Sequence, residues 1–126
     1  HHPEEIRVTL DSVRDAFSSQ PVVVFQPHRF TRTRLLLDGF VDVLSKVPRL
    51  YVMDVFAAGE EPIKGATSEE MVKRVKAAGG EGAVYAPCEK ELVKLLKKDL
   101  GEGDILLTLG AGNVWRCADA VADELR

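Results

Sequence analysis

The sequence predicts a single α/β domain with a mostly parallel sheet and helices on both faces. Two observations carry this. Four short apolar runs, at residues 22–25, 50–55, 83–86 and 105–109, are separated by stretches whose apolar residues recur at helical spacing. The first of these runs is continuously apolar rather than alternating, the pattern of a strand buried on both faces. Strand and helix alternating four times along one chain imply right-handed crossovers between parallel strands.

The elements follow in order. Ile6, Leu10, Val13 and Phe17 recur at helical spacing behind Pro3, Glu4 and Glu5, so an amphipathic helix opens the chain with these four inward, and Pro21 breaks it. Residues 22–25 form the first strand. A second helix starts at Thr31 with Leu36, Leu37, Phe40, Val41 and Leu44 inward, and Pro48 ends that unit. Residues 50–55 are the second strand. Gly59, Pro62 and Gly65 mark residues 56–66 as a loop. Thr67-Ser68-Glu69-Glu70 has the form of a capping box and launches a helix carrying Met71, Val72 and Val75, which stops at Gly79-Gly80. A short strand at 83–86, a helix at 89–100 with a lysine-rich outer face, a strand at 105–109 and a final helix with Val114, Ala118, Val121 and Leu125 on one face complete the pattern.

Bulk properties narrow the function. At 126 residues the chain is long enough for one real core, and a net charge of −3 argues against general nucleic-acid binding. No apolar stretch approaches the roughly 20 residues that span a bilayer. Two cysteines, Cys88 and Cys117, supply no disulfide framework or zinc spacing, and are expected to be buried or half-buried thiols in a cytoplasmic protein. The chain opens on His1-His2-Pro3 and stops at Arg126 within a helical pattern, so either the histidines are the remnant of a tag or the piece is excised from a larger protein.

The chemistry concentrates at strand ends. The first strand runs into Pro27-His28-Arg29-Phe30-Thr31-Arg32-Thr33-Arg34. Guanidinium forks suit a carboxylate or phosphate. Arg32 and Arg34 are expected in the first turn of the second helix, where cations oppose the macrodipole unless an anion meets them. Gly110-Ala111-Gly112-Asn113 follows the last strand and opens a helix, a turn that presents backbone N–H groups to an anion. It lacks the third glycine of a dinucleotide fingerprint. Asp54 and Glu60-Glu61 offer carboxylates that either bind a metal or an amine or serve loop solubility and turn chemistry, the latter being the simpler reading of Glu61. No phosphate-binding loop of the G-x-x-x-x-G-K-[ST] type is present.

Several strings together resemble a known family. His1-His2-Pro3 with Glu5-Ile6, Phe25 through Arg34, Asp54-Val55-Phe56-Ala57-Ala58-Gly59-Glu60-Glu61-Pro62-Ile63, and Gly110-Ala111-Gly112-Asn113-Val114-Trp115 resemble the C-terminal domain of the Mur ligases, in the branch that joins L-alanine to UDP-N-acetylmuramate. The resemblance spans essentially the whole chain. It implies a Rossmann-like closing domain at residues 1–126 of a three-domain cytoplasmic enzyme of peptidoglycan synthesis. The implied reaction is ATP-dependent amide formation through an acyl phosphate. ATP and Mg would be held mainly by a central domain absent from this chain. The implied partners are UDP-N-acetylmuramate, L-alanine and the enzyme's own N-terminal and central domains, with neither nucleic acid nor membrane involved. By the same resemblance, His28, Arg29, Arg32 and His2 bind substrate, Gly110, Gly112 and Asn113 form a possible anion-binding turn, and no residue of this chain is a catalytic or metal-binding group. Phe30 and Phe56 stand where the family commonly has tyrosine. The alternative is a free-standing, non-catalytic α/β module that binds an anionic small ligand.

Overall fold

A computed structural model of the chain describes residues 2–110 and 114–125. Its elements are α1 (Pro3–Phe17), β1 (Val22–Gln26), α2 (Phe30–Leu44), β2 (Arg49–Val52), α3 (Ser68–Ala77), β3 (Ala83–Tyr85), α4 (Glu89–Asp99), β4 (Leu106–Gly110) and α5 (Val114–Leu125). The four strands pair in parallel in the order β3-β2-β1-β4. The chain therefore builds outward from β1 to β3, then returns to the other side of β1. That reversal opens a crevice between the carboxyl ends of β1 and β4, the usual ligand position in an open α/β sheet.

β1 is the centre of the core. Val22, Val23, Val24 and Phe25 are each at most 1% exposed, which contributes about 1.5–3 kcal/mol per side chain. Their period of two divides them between the faces. Val23 and Phe25 join Ile6, Leu10, Leu37, Phe40, Leu44, Leu50, Val52, Met71 and Val75 in one cluster. Val22 and Val24 join Tyr51, Met53, Leu92, Leu96, Val114 and Val121 in the other. Helices α1, α2 and α3 thus cover one face, and α4 and α5 the other.

Helix ends follow local chemistry. The His2 Nδ1 accepts from the Glu4 N–H at 3.1 Å and caps α1, and the Thr67 hydroxyl accepts from the Glu70 N–H at 3.3 Å, as the capping box predicts. At the amino ends of the strands, the Arg49 guanidinium donates to the Asp99 carbonyl at 2.7 Å and pairs with Asp104 at 3.0 Å. Tyr51 donates its hydroxyl to the Asp99 carboxylate; burial, then that hydrogen bond, raises its pKa. These contacts tie β2 to the α4–β4 connection at the end of the sheet opposite the crevice.

Four expectations are corrected. α1 ends at Phe17 with Ser18 in the left-handed conformation (φ 55°), before Pro21, and Phe17 is 60% exposed. Leu10 and Arg14 already lie against Val43 and Val47 at the far end of α2, so the last turn of α1 runs past its support. β2 stops at Val52. The Met53 N–H still donates to the Phe25 carbonyl, but the next donor from β1 would be Pro27, which has no N–H, and the Asp54 N–H goes to the Pro87 carbonyl. Arg34 falls in the second turn of α2 rather than the first. Cys88 is exposed, because it stands at the N-cap position of α4 rather than inside it. The Cys117 and Leu125 side chains lie outside the described residues.

Gly110 closes β4 opposite Gln26 with φ +131°. A Cβ there would stand 2.3 Å from the Gln26 carbonyl oxygen. Gly103 also has a positive φ, +85°, but opens onto empty space. Gly110→Ala should therefore destabilise the domain by about 2–4 kcal/mol, and Gly103→Ala by only about 1 kcal/mol. Urea unfolding of both variants measures the difference, and equal losses would show that conformation alone, without the close approach, sets the requirement.

Candidate functional site

The carboxyl end of β1 enters the crevice through Gln26, Pro27 and His28. Arg29 follows as the N-cap residue of α2, with φ 66° and ψ 140°. An arginine in that region is strained by about 1–3 kcal/mol, and its backbone is held there from both sides. Its N–H donates to the Phe56 carbonyl at 2.8 Å, while its own carbonyl accepts from the Thr33 N–H at 3.1 Å and the Thr33 hydroxyl at 2.7 Å. Buried Thr33, set in the first turns of α2, thereby fixes the strand-to-helix corner.

His28, Arg29, Thr31, Arg32 and Leu35 line an open concavity of about 390 Å³. Sequence-predicted His28, Arg29 and Arg32 thus share one site. Arg34 is exposed and does not line it. The Arg32 Nε is buried without a hydrogen-bond partner among the described residues, as is Oε1 of Gln26 at the end of β1. A guanidinium N–H left in this state costs about 1–3 kcal/mol or more unless a ligand meets it. The guanidinium groups of Arg29 and Arg32, which line the same concavity, are donors that suit an oxyanion.

The loop after β2 packs against this same strand-to-helix corner. The Phe56 N–H donates to the Pro27 carbonyl at 2.8 Å, and its ring stacks on the His28 imidazole at 5.6 Å between centroids. Glu60 then reaches the amino end of α2. Its carboxylate accepts from the Thr31 N–H at 3.1 Å and from the Thr31 hydroxyl at 2.6 Å. These two bonds, with the Arg29 charge a lesser cause, hold the Glu60 carboxyl below its ordinary range. Sequence reasoning left Glu60 as a carboxylate for a metal, an amine or loop solubility and missed this use. The available signal was the helix itself: α2 carries no acidic residue in its first turn and no side-chain cap of its own.

Asp54 accepts from the Tyr85 hydroxyl. That bond, then burial, pushes the tyrosine up to about 12, so it remains a proton donor at neutral pH. His2 is engaged as the α1 cap and does not line the concavity with His28. Gly110 lies beside the first turns of α1 at the same edge, in a groove with Glu5, Ile6, Thr9, Thr108 and Leu109. Gly112 and Asn113 lie outside the described residues. Among the described residues no three His, Cys, Asp or Glu side chains are grouped to hold a metal ion, and the chain has no triphosphate loop. No helix among the described residues is long and apolar enough to cross a membrane.

Comparison with known proteins supplies the family. The chain is 43% identical over 126 residues to a UDP-N-acetylmuramate–L-alanine ligase of Solibacter usitatus, a match covering 100% of this chain and 27% of that protein. It is 45% identical over 122 residues to the ligase of the same name from Desulfosudis oleivorans, covering 96% of this chain and 27% of the relative. It thus spans about a quarter of the length of the curated relatives it matches. The crystal structure of a UDP-N-acetylmuramate-alanine ligase from Thermotoga maritima superposes with a TM-score of 0.74 at 23% identity, covering 99% of this chain and 25% of that one, a likeness of fold. Residues 1–112 match the model of the Mur ligase, glutamate ligase domain, and the chain belongs to the Mur ligase family.

Proposed function

We propose that the chain is the C-terminal, amino-acid-binding domain, residues 1–126, of a three-domain cytoplasmic ligase that joins L-alanine to UDP-N-acetylmuramate in peptidoglycan synthesis. Whole-chain identity to ligases so named supports the substrate assignment. The observation that carries the reading is the buried, unpartnered Nε of Arg32, which shares with the strained Arg29 a concavity beyond the carboxyl end of β1. Leu35 on the rim is 81% exposed and Phe56 in the facing loop is 36% exposed. Exposed apolar side chains around a basic site suit a surface that closes against another domain.

The chemistry divides between this domain and the rest of the enzyme. ATP and Mg would be bound by the central domain, which would convert the sugar carboxylate to an acyl phosphate. The alanine amine then attacks the acyl carbon, the C–O bond to phosphate breaks, phosphate departs with the electron pair, and the amine loses a proton. In that step Arg29 and Arg32 hold the alanine carboxylate and thereby aim the amine, and His28 orients the site. Positioning of this kind supplies much of the rate in a reaction between two bound substrates. His2 and the turn from Gly110 through Gly112 to Asn113 would complete the site once the domains close.

In the full-length ligase, Arg29→Ala and Arg32→Ala should each lower kcat/KM for L-alanine roughly 10- to 150-fold, the value of a charge-assisted hydrogen bond of about 1.5–3 kcal/mol. Arg29→Lys should recover only part, because an ammonium lacks the planar fork. Lys94→Ala, on the outer face of α4, should leave the kinetics unchanged. Wild-type kinetics in both alanine variants would make the cluster a solvated basic turn.

Arg29 also separates function from stability. Arg29→Gly removes the Cβ clash at φ 66° and should be more stable than Arg29→Ala by about 1 kcal/mol, while remaining as inactive. Thermal melts of the two variants read this directly, and a less stable glycine variant would contradict the strain at the N-cap.

The 126-residue domain alone should release no phosphate from ATP with L-alanine and UDP-N-acetylmuramate present. A coupled phosphate assay checks it, and sustained ATP-dependent product formation would sink the division of labour between domains.

A further inference from the structure

We propose that Glu60 is a positioning residue that caps α2 across the loop and so keeps the ligand carboxylate on the arginines instead of the helix end. This rests on the reading of the concavity as an amino-acid carboxylate site. α2 begins Phe30-Thr31-Arg32-Thr33-Arg34, with no acidic residue in the first turn and no cap bond from the Arg29 side chain. Its amino end would otherwise be an attractive seat for any anion, through its N–H groups and its dipole. Glu60 fills that seat with both carboxylate oxygens, one on the Thr31 N–H and one on the Thr31 hydroxyl.

The capping segment is fastened to the site along its length. The Phe56 N–H and carbonyl bond to Pro27 and Arg29 on either side of His28, and the Phe56 ring lies on the imidazole. Residues 56–60 therefore form a strap whose one end orients His28 and Arg29 and whose other end plugs the helix. With the plug in place, the Thr31 donors are occupied and the guanidinium groups of Arg29 and Arg32 face an incoming carboxylate in the concavity. Without it, the carboxylate gains a competing seat about one residue away, at Thr31, and the amine is aimed wrongly. Glu61, the adjacent exposed carboxylate, makes no such bond to α2 in the described structure.

The test uses the full-length ligase. A carboxylate seated at Thr31 is bound but holds its amine out of line, so its mispositioning should appear mainly in kcat. Glu60→Ala should lower kcat with L-alanine roughly 5- to 10-fold, with KM for L-alanine not raised and the KM values for ATP and UDP-N-acetylmuramate unchanged. Glu60→Gln, which keeps one acceptor oxygen, should lie between wild type and Glu60→Ala. Glu61→Ala should match wild type. Thr31→Ala should give a smaller loss of kcat, and the Thr31→Ala/Glu60→Ala pair should be no worse than Glu60→Ala alone, since both act through one contact. Amide hydrogen exchange at Thr31 should accelerate in Glu60→Ala, with the melting temperature little changed.

An unchanged kcat in Glu60→Ala, additive effects in the pair, or raised KM values for all three substrates with a lowered melting temperature would each overturn the proposal. If the wild-type enzyme forms no product from L-alanine, the functional reading fails and this role falls with it. Faster Thr31 exchange would then show that the cap itself stands, which separates that failure from a failure of the cap.

Discussion

Everything in this domain hangs on burying β1 from both sides. Four consecutive apolar residues at most 1% exposed give each face of the sheet its central side chains. A strand in that position cannot solvate its own backbone, so its hydrogen bonds must go to β2 and β4. The same burial means that the first polar residues after the strand emerge together at its carboxyl end. Gln26, His28 and Arg29 are delivered there by the core, and the return of the chain to β4 leaves the space beside them open.

The two ends of the sheet do different work. At the amino end, Arg49, Tyr51, Asp99 and Asp104 are paired with one another, and their charges and hydroxyl are satisfied. At the carboxyl end, the Arg32 Nε lacks a partner among the described residues, Arg29 sits at a positive φ, and a loop carboxylate is spent capping a helix that carries arginines in place of acids. A closed network holds the fold at one end, and donors are held ready at the other. Strain and unmet donors collected at one place are what a preorganised binding site requires, with the core supplying the stability that tolerates them.

Much of this was legible in the sequence, for physical reasons. The order of elements, the doubly covered sheet and the capping box at Thr67 follow from local patterns of burial and hydrogen bonding. So does the gathering of His28, Arg29 and Arg32 at a strand end. What escaped was what depends on contacts distant in sequence. The apolar period carried Phe17 inward, but α2 ends too soon to cover it. The composition of residues 50–55 suited a strand, but Pro27 at the end of the neighbouring β1 has no N–H to carry the ladder past Val52. Glu60 read as a loop acid, because its partner Thr31 lies 29 residues away. A helix start made of Phe30-Thr31-Arg32 was itself a sign that a cap had to come from elsewhere.

The central claim is that the concavity beyond the carboxyl end of β1 holds the carboxylate of the amino acid through its arginines. The most direct measurement follows the Arg32 Nε–H resonance in selectively labelled full-length ligase, with the sugar substrate and a non-hydrolysable ATP analogue bound, as L-alanine is added. The account predicts a saturable shift of that resonance with the same midpoint as alanine binding, and its absence in Arg32→Lys. Alanine binding of wild-type strength with the Arg32 resonance unmoved would contradict it.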